Sequence, residues 1–294
     1  MKSLFFTISI FLFSFSTLFA QKLSANWEEL TASDFALAVK QSEGVCVVPI
    51  GVIEKHGQQL PLGTDVFTAR EVCRRASAKE YCLIYPFYFA GQIFEAKHQP
   101  GTIAYSPELM YQLLDETCKE ISRNGVKKII LVNGHGGNTA WLQYFCQVQL
   151  ASSRDYVVYY TTPSVSQEVQ KKITAMRKTT VGGHADEVET SSMMVVRPDL
   201  VKIERATAES GANLHRLQHI PSSLFAGINW YSQYPNHYAG DAKDANTAIG
   251  ELSIESRSLT LSEMIKAVKA DNDAIRLQNE FFLDALNPLN TKVK

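Results

Sequence analysis

The 294 residues carry 29 Lys or Arg against 30 Asp or Glu, a net charge of −1. No basic run stands out, so nucleic-acid binding has no electrostatic footprint here. The length suits one large or two small domains and buries a substantial core.

In chain order, the first twenty residues stand apart. Lys2 gives a positive start, residues 4–15 are apolar apart from Thr7, Ser9 and Ser14, and small Ala20 ends the run before polar Gln21 and Lys22. That is the layout of a secretory signal peptide. The competing reading is a membrane anchor, but Ser16 and Thr17 interrupt the run before the roughly 20 apolar residues that a bilayer span requires. The expectation is therefore an exported protein, periplasmic or secreted, whose mature chain is residues 21–294. No stable membrane insertion is expected after signal cleavage.

Beyond this leader, short apolar runs alternate with helical patterns. Residues 45–50 (VCVVPI), 82–89, 128–132 (KIILV) and 156–161 read as strands. Residues 66–79, 107–124 and 138–152 read as helices. Ser106 is placed to cap the second, with Leu109, Leu113, Leu114 and Ile121 on one face. The alternation predicts an α/β sheet covered on both faces. Residues 203–244 are irregular, polar and aromatic and read as long binding-wall loops. Residues 262–286 read as one long amphipathic helix. The five cysteines, Cys46, Cys73, Cys82, Cys118 and Cys146, lie mostly in apolar periodic segments without a CxxC pair. They are expected to be buried free thiols and not zinc ligands.

Three segments carry chemistry. In VPIGVIEKHGQQLPLGTD (48–65), Glu54 and His56 are two apart on an extended chain, so they point the same way. Asp65 follows through a turn-prone stretch. Two carboxylates and an imidazole converging at a strand end suit a divalent cation, although an ExH alone is common. In KIILVNGHGGN (128–138), a strand delivers Asn133 and His135 to the edge where open α/β sheets bind ligands. Asn138 is placed to cap the next helix. GGHADEVETSS (182–192) gathers His184, Asp186, Glu187 and Glu189. This last cluster also fits a plain helix start, where acids meet the positive end of the helix.

Together these segments resemble the creatininase family. VPIGVIEKHGQQLPLGTD is similar to its opening motif, LVNGHGGN to its central motif and HADEVETS to its HAGExETS motif. GDAKDANTAIGE at 240–251 is similar to its GDPxxAxxxxGE. The resemblance implies a single domain with a three-layer α/β/α sandwich and a mainly parallel sheet. It also implies two divalent metals (zinc, manganese or iron), hydrolysis of C–N bonds in cyclic amides or formamides, and homo-oligomers that are often hexamers. Carried over by position, Glu54, Asp65 and His135 hold one metal. His56 and Asp65 hold the other, with Asp65 bridging.

Two departures matter. Where creatininase proper reads NGHxEN, with a Glu on the second metal, this chain has Gly137. Glu189 or Glu187 must then complete that shell. Glu189 holds the ExETS position and is assigned as the ligand, which leaves His184 and Glu187 for substrate contact or proton transfer. In GQIFEAKHQPGT (91–102), Ile93 and Ala96 stand where the family shows Ser and His in GxSxEHxxFPGT. Glu95, His98 and Asn138 are the expected substrate contacts. The implied mechanism is attack by a metal-bound hydroxide, available because the metal lowers the pKa of its water towards ~7. The alternatives are a metallopeptidase on the same scaffold and a non-catalytic exported binding protein that has lost the second metal.

Overall fold

The structure, a computed structural model, describes residues 23–291; the segment expected to be a signal peptide lies outside them. Helix α1 (Ala32–Gln41) is capped by Thr31, whose side chain accepts from the Asp34 amide. Strand β1 (Val45–Ile50) follows, buried at every position. Next come α2 (Thr64–Lys79), β2 (Leu83–Ile84), α3 (Pro107–Arg123), β3 (Lys128–Asn133), α4 (Thr139–Val148) and β4 (Val157–Thr161). The strands form one parallel sheet in the order β2-β1-β3-β4.

Parallel strands covered on both faces read as continuous apolar runs, which is why β1 and β3 were legible. Alternate residues serve opposite faces. Cys46, Val48, Ile129 and Leu131 pack with Leu114, Cys118 and Ile121 of α3 and with Phe145 of α4. Val45, Val47, Ile130 and Val132 pack with Val72 and Ala76 of α2 and with Ile254 and Leu261 of α8 (Thr247–Ala270). The result is the expected three-layer α/β/α arrangement. The five cysteines are free, and four are buried.

Three expectations need correction, and one helix was not expected. The strand expected over 82–89 is only Leu83–Ile84, because Pro86 lacks the amide a ladder needs. The chain rejoins the sheet only as a bridge from Tyr88 to Ile50. In α3 the buried face is Met110, Leu114, Cys118 and Ile121, while Leu109 and Leu113 are exposed. Helix α5 (Gln167–Met176), capped by Ser166, was hidden in a Gln- and Lys-rich stretch. The long C-terminal helix is two helices, α8 and α9 (Ala274–Ala285). Asp271 ends α8 by accepting from the amides of Asp273 and Ala274, a local turn that competes with helix continuation.

Two further helices hold the remaining motifs. Helix α6 (Glu187–Val196) starts at Asp186, whose side chain caps the amides of Val188 and Glu189. The segment 203–244 is largely irregular, as expected, with one short helix, α7 (Asn229–Gln233). The conserved-looking glycine of the last motif has a packing reason. A Cβ on Gly250 of α8 would lie 2.0 Å from the Ser191 carbonyl oxygen of α6. Gly250→Ala must therefore push two packed helices apart. We expect it to cost about 3 kcal/mol in urea unfolding, the upper end for overpacking. An unchanged unfolding midpoint contradicts this contact.

Candidate metal centre

The ligand-type residues come from four places on the C-terminal side of the sheet. Glu54 and His56 follow β1 in a loop pinned by the Glu54 amide on Leu62 O at 3.0 Å. Asp65 sits in the first turn of α2, where the helix end favours a carboxylate. His135 follows β3, its amide bonded to Asn133 Oδ1 at 3.1 Å. Glu189 lies in the first turn of α6.

These side chains converge. Asp65 is shared: its Oδ1 is 3.2 Å from His56 Nε2 and its Oδ2 is 3.1 Å from His135 Nδ1. Glu54 Oε1 is 2.7 Å from His135 Nδ1. Glu189 Oε1 is 3.8 Å from His56 Nε2. Among the described residues, Glu54, Asp65 and His135 form one group with metal-ligand spacing, His56, Asp65 and Glu189 form a second, and Glu54, His56 and His184 form a third. Glu54 and His56 are fully buried.

The donor set fits divalent cations. Glu54 Oε1 and Asp65 Oδ2 lie near His135 Nδ1, yet neither makes an aligned hydrogen bond, and both are buried without a partner. Carboxylates and imidazoles gathered in one buried shell suit zinc, manganese or iron, and burying such charges without a cation is costly.

The electrostatics tell the same story. Burial opposes charge on His56, but Asp65, Glu189 and Glu54 outweigh it and hold the imidazolium up to about 10. His135 is likewise raised, against burial, by Glu54 and Asp65. Burial would lift Glu54, but His135, His184 and His56 keep it well below the usual carboxylate range. Burial raises Glu189 to about 7, His56 opposing and Asp65 adding to the rise. Protons thus stand in for cations in the metal-free cluster.

A pH dependence follows. His56 contributes stability that is complete below 6.5 and is lost as pH rises through about 10. The raised Glu189 contributes stability below 4.5 that is lost as pH rises through about 7. Glu54 acts oppositely, and its contribution is lost only as pH falls below 4.5. From pH 6 to 8.5 the metal-free protein therefore weakens, and a bound ion replaces the missing protons. Added Mn2+ should raise the melting temperature more at pH 8.5 than at pH 6. A rise no larger at the higher pH contradicts this assignment.

The other expected site residues are placed as follows. His184 borders the cluster, its ring 4.3 Å from that of His56. Its Nε2 donates to Lys55 O at 2.8 Å, and burial with His56 beside it pushes its pKa down to about 3. Glu187 does not face the cluster. Its carboxylate accepts from the amides of Lys178 and Thr179 and from the Thr179 hydroxyl, so it anchors that turn and is not free to move protons. Asn138 does not cap α4 with its side chain; its Oδ1 accepts from the Gln92 amide at 2.8 Å and holds the 91–95 loop. Glu95 lies on that loop, bonded to Gln92 Nε2 at 2.7 Å. His98 is exposed and outside the cluster, its Nε2 2.8 Å from Pro235 O. Gly137 leaves no hole where the family's Glu stands. A Cβ there would meet Gln92 Oε1, His135 Nε2 and Glu95 Oε1 at 2.5, 2.6 and 3.1 Å.

Sequence reasoning missed His237. It is buried, and its Nδ1 accepts from Trp230 Nε1 at 2.9 Å, which places its own proton on Nε2, against Glu54 Oε2. It thereby orients a ligand carboxylate. His237 and Ala185 both adopt positive φ, 52° and 56°, a strain of about 1–3 kcal/mol each that clusters at functional sites. Only its position just before the 240–251 motif pointed to it.

A family model described as creatinine amidohydrolase matches residues 28–265. The chain belongs to the creatininase family. It is 25% identical to a creatinine amidohydrolase of Pseudomonas putida over 194 residues, 60% of this chain and 74% of that protein. It is 29% identical to a mycofactocin precursor peptide peptidase of Mycobacterium tuberculosis over 216 residues, 69% of this chain and 77% of that protein. A solved structure described as creatininase Mn matches with a TM-score of 0.71 at 21% identity, covering 84% of this chain and 100% of the other. The three-layer fold is thus the family's. The chain is a creatininase-family hydrolase with metal-ligand residues gathered at one sheet edge.

Proposed function

We propose that this creatininase-family protein is an exported, metal-dependent amidohydrolase that opens a C–N bond in a cyclic amide or formamide. The observation that carries this reading is the sharing of Asp65 between two ligand groups, one oxygen towards each. Glu54, Asp65 and His135 would hold one ion, and His56, Asp65 and Glu189 would hold the other. Divalent ions there supply Lewis acidity towards a carbonyl and a water of lowered pKa.

The chain's own residues do the rest. His237 fixes Glu54 through its Nε2 proton, itself fixed by Trp230. His184, held neutral with its Nε2 proton committed to Lys55 O, is a substrate contact and not the acid that protonates the leaving nitrogen. Asn138 fixes the loop that carries Glu95, the wall beside His135. Glu189, whose side chain is 29% exposed, opens on a cavity of about 310 Å3. Export rests on the layout of the first twenty residues, and homo-oligomerisation on the family resemblance.

The mycobacterial peptidase relative favours a second reading, hydrolysis of a peptide bond. A screen decides between them, using purified protein loaded with Mn2+ or Zn2+ against lactams, creatinine, N-formyl compounds and short peptides. Chelator-sensitive turnover of the small amides is expected. Turnover of peptides alone replaces the reading with a peptidase. No turnover together with no metal uptake leaves a binding protein.

A further inference from the structure

The cavity at Glu189 holds positive charge that the metal centre does not need. Its polar lining includes Thr68 of α2, Arg177, Asp186, Glu189 of α6, and Ser253 and Arg257 of α8. Thr68 lies one turn on from Asp65, and its hydroxyl lies 3.2 Å from the Asp65 carbonyl oxygen. Arg257 is half-buried, and its hydrogen bond runs from Nε to Pro163 O at 3.2 Å. Among the described residues no carboxylate forms an ion pair with its guanidinium. Arg177 spreads Nη2 over Thr179, Val181 and Asp186 at 3.3–3.5 Å, and its buried Nε has no partner.

An unpaired, partly buried guanidinium is costly and calls for a counter-ion. Burial depresses the Arg257 pKa while Glu189 and Asp65 oppose that shift, so both acids act on it. Yet both belong to the ligand set. Three carboxylates, Glu54, Asp65 and Glu189, face the charge of two divalent ions, so the loaded centre has none to spare. Asp186 is committed on both sides, its Oδ1 accepting from the Val188 and Glu189 amides at 3.0 Å and its Oδ2 pairing with Arg177 at 3.5 Å. In the metal-loaded protein Arg257 is therefore the guanidinium of this cavity left without a counter-ion.

We propose that the cavity receives the carboxylate of an acidic amide substrate, such as an N-formyl amino acid or a lactam acid, with Arg257 as its counter-ion. This rests on the amidohydrolase reading above. The planar guanidinium matches a carboxylate at two points. Glu189, one of the ligand-type residues, lines the same cavity and so joins it to the cluster. In the reaction the amide C–N bond breaks, water gives its hydroxyl to the acyl carbon and its proton to the nitrogen, and the recognised carboxylate is unchanged.

The test pairs binding with turnover in Mn2+-loaded protein. The binding probes are N-methylsulfonylglycine, in which a sulfonamide replaces the amide, and its uncharged methyl ester, titrated by calorimetry. The turnover pairs are 5-oxoproline against 2-pyrrolidinone and N-formylglycine against N-formylglycinamide. We expect the acid of each pair to be preferred by about 30-fold or more, in Kd and in kcat/KM, as for a charged hydrogen-bonded pair. Arg257→Met should remove most of that preference, and Arg257→Lys should retain part. If Arg257→Met fails to fold, the wild-type pairs and Arg257→Lys still decide. Equal binding of acid and ester overturns the proposal, and so does a preference untouched by either variant, which would place the carboxylate on the metals. Acid-selective binding that depends on Arg257 without turnover of any amide supports the site and refutes the amidohydrolase reading instead. Turnover without acid preference does the reverse.

Discussion

Asp65→Ala is expected to empty both ion positions together and to lower metal-dependent turnover by about 1,000-fold or more. Its two oxygens face His56 at 3.2 Å and His135 at 3.1 Å, and among the described residues it alone belongs to both the Glu54, Asp65, His135 group and the His56, Asp65, Glu189 group. Loss of Lewis acidity worth several kcal/mol, at about 1.4 kcal/mol per tenfold, sets that scale. The fold should persist, because Asp65 lies in the first turn of α2, where the truncation leaves the packed face of Val72, Cys73 and Ala76 intact. Elemental analysis, circular dichroism and an amide assay read the three outcomes. An active variant with normal metal content contradicts the shared site.

Glu189→Gln and Glu187→Gln should separate cleanly, although the two acids are only two residues apart. Glu189 Oε1 faces His56, so its loss should weaken the ion held there by about 100-fold or more; removal of a mere outer partner costs 10–100-fold. The ion at Glu54, Asp65 and His135 should change less. Glu187 is fully buried and receives two amides and a hydroxyl from residues 178 and 179. A Gln there presents a donor to donors, and we expect about 2 kcal/mol lower stability with unchanged metal affinity. Metal titration and thermal melts of both variants check this. Reversed effects would exchange the two roles.

The sheet and the ligand positions were largely legible, for different physical reasons. Strands β1 and β3 are apolar at almost every position because helices cover both faces. Glu54, His56, Asp65 and His135 were visible because strand ends deliver them within short motifs. What escaped depends on contacts across the chain. His237 lies in an irregular segment without periodicity, and only the fold brings it to Glu54. Glu187 and Glu189 look alike in sequence, but the α6 helix turns one to the 178–179 backbone and the other to His56. The break between α8 and α9 turns on the Asp271 side chain, which periodicity cannot weigh against helix continuation. Gly137 suggested a vacant ligand position, whereas Gln92 and Glu95 from another loop fill that space.

The central claim is a pair of ions bridged by one aspartate. Anomalous diffraction from crystals of the Mn2+-loaded protein tests it most directly. The expected result is two peaks per chain, one among Glu54, Asp65 and His135 and one among His56, Asp65 and Glu189, with Asp65 touching both. A single peak away from Asp65, or none in protein that still hydrolyses its amide, contradicts it.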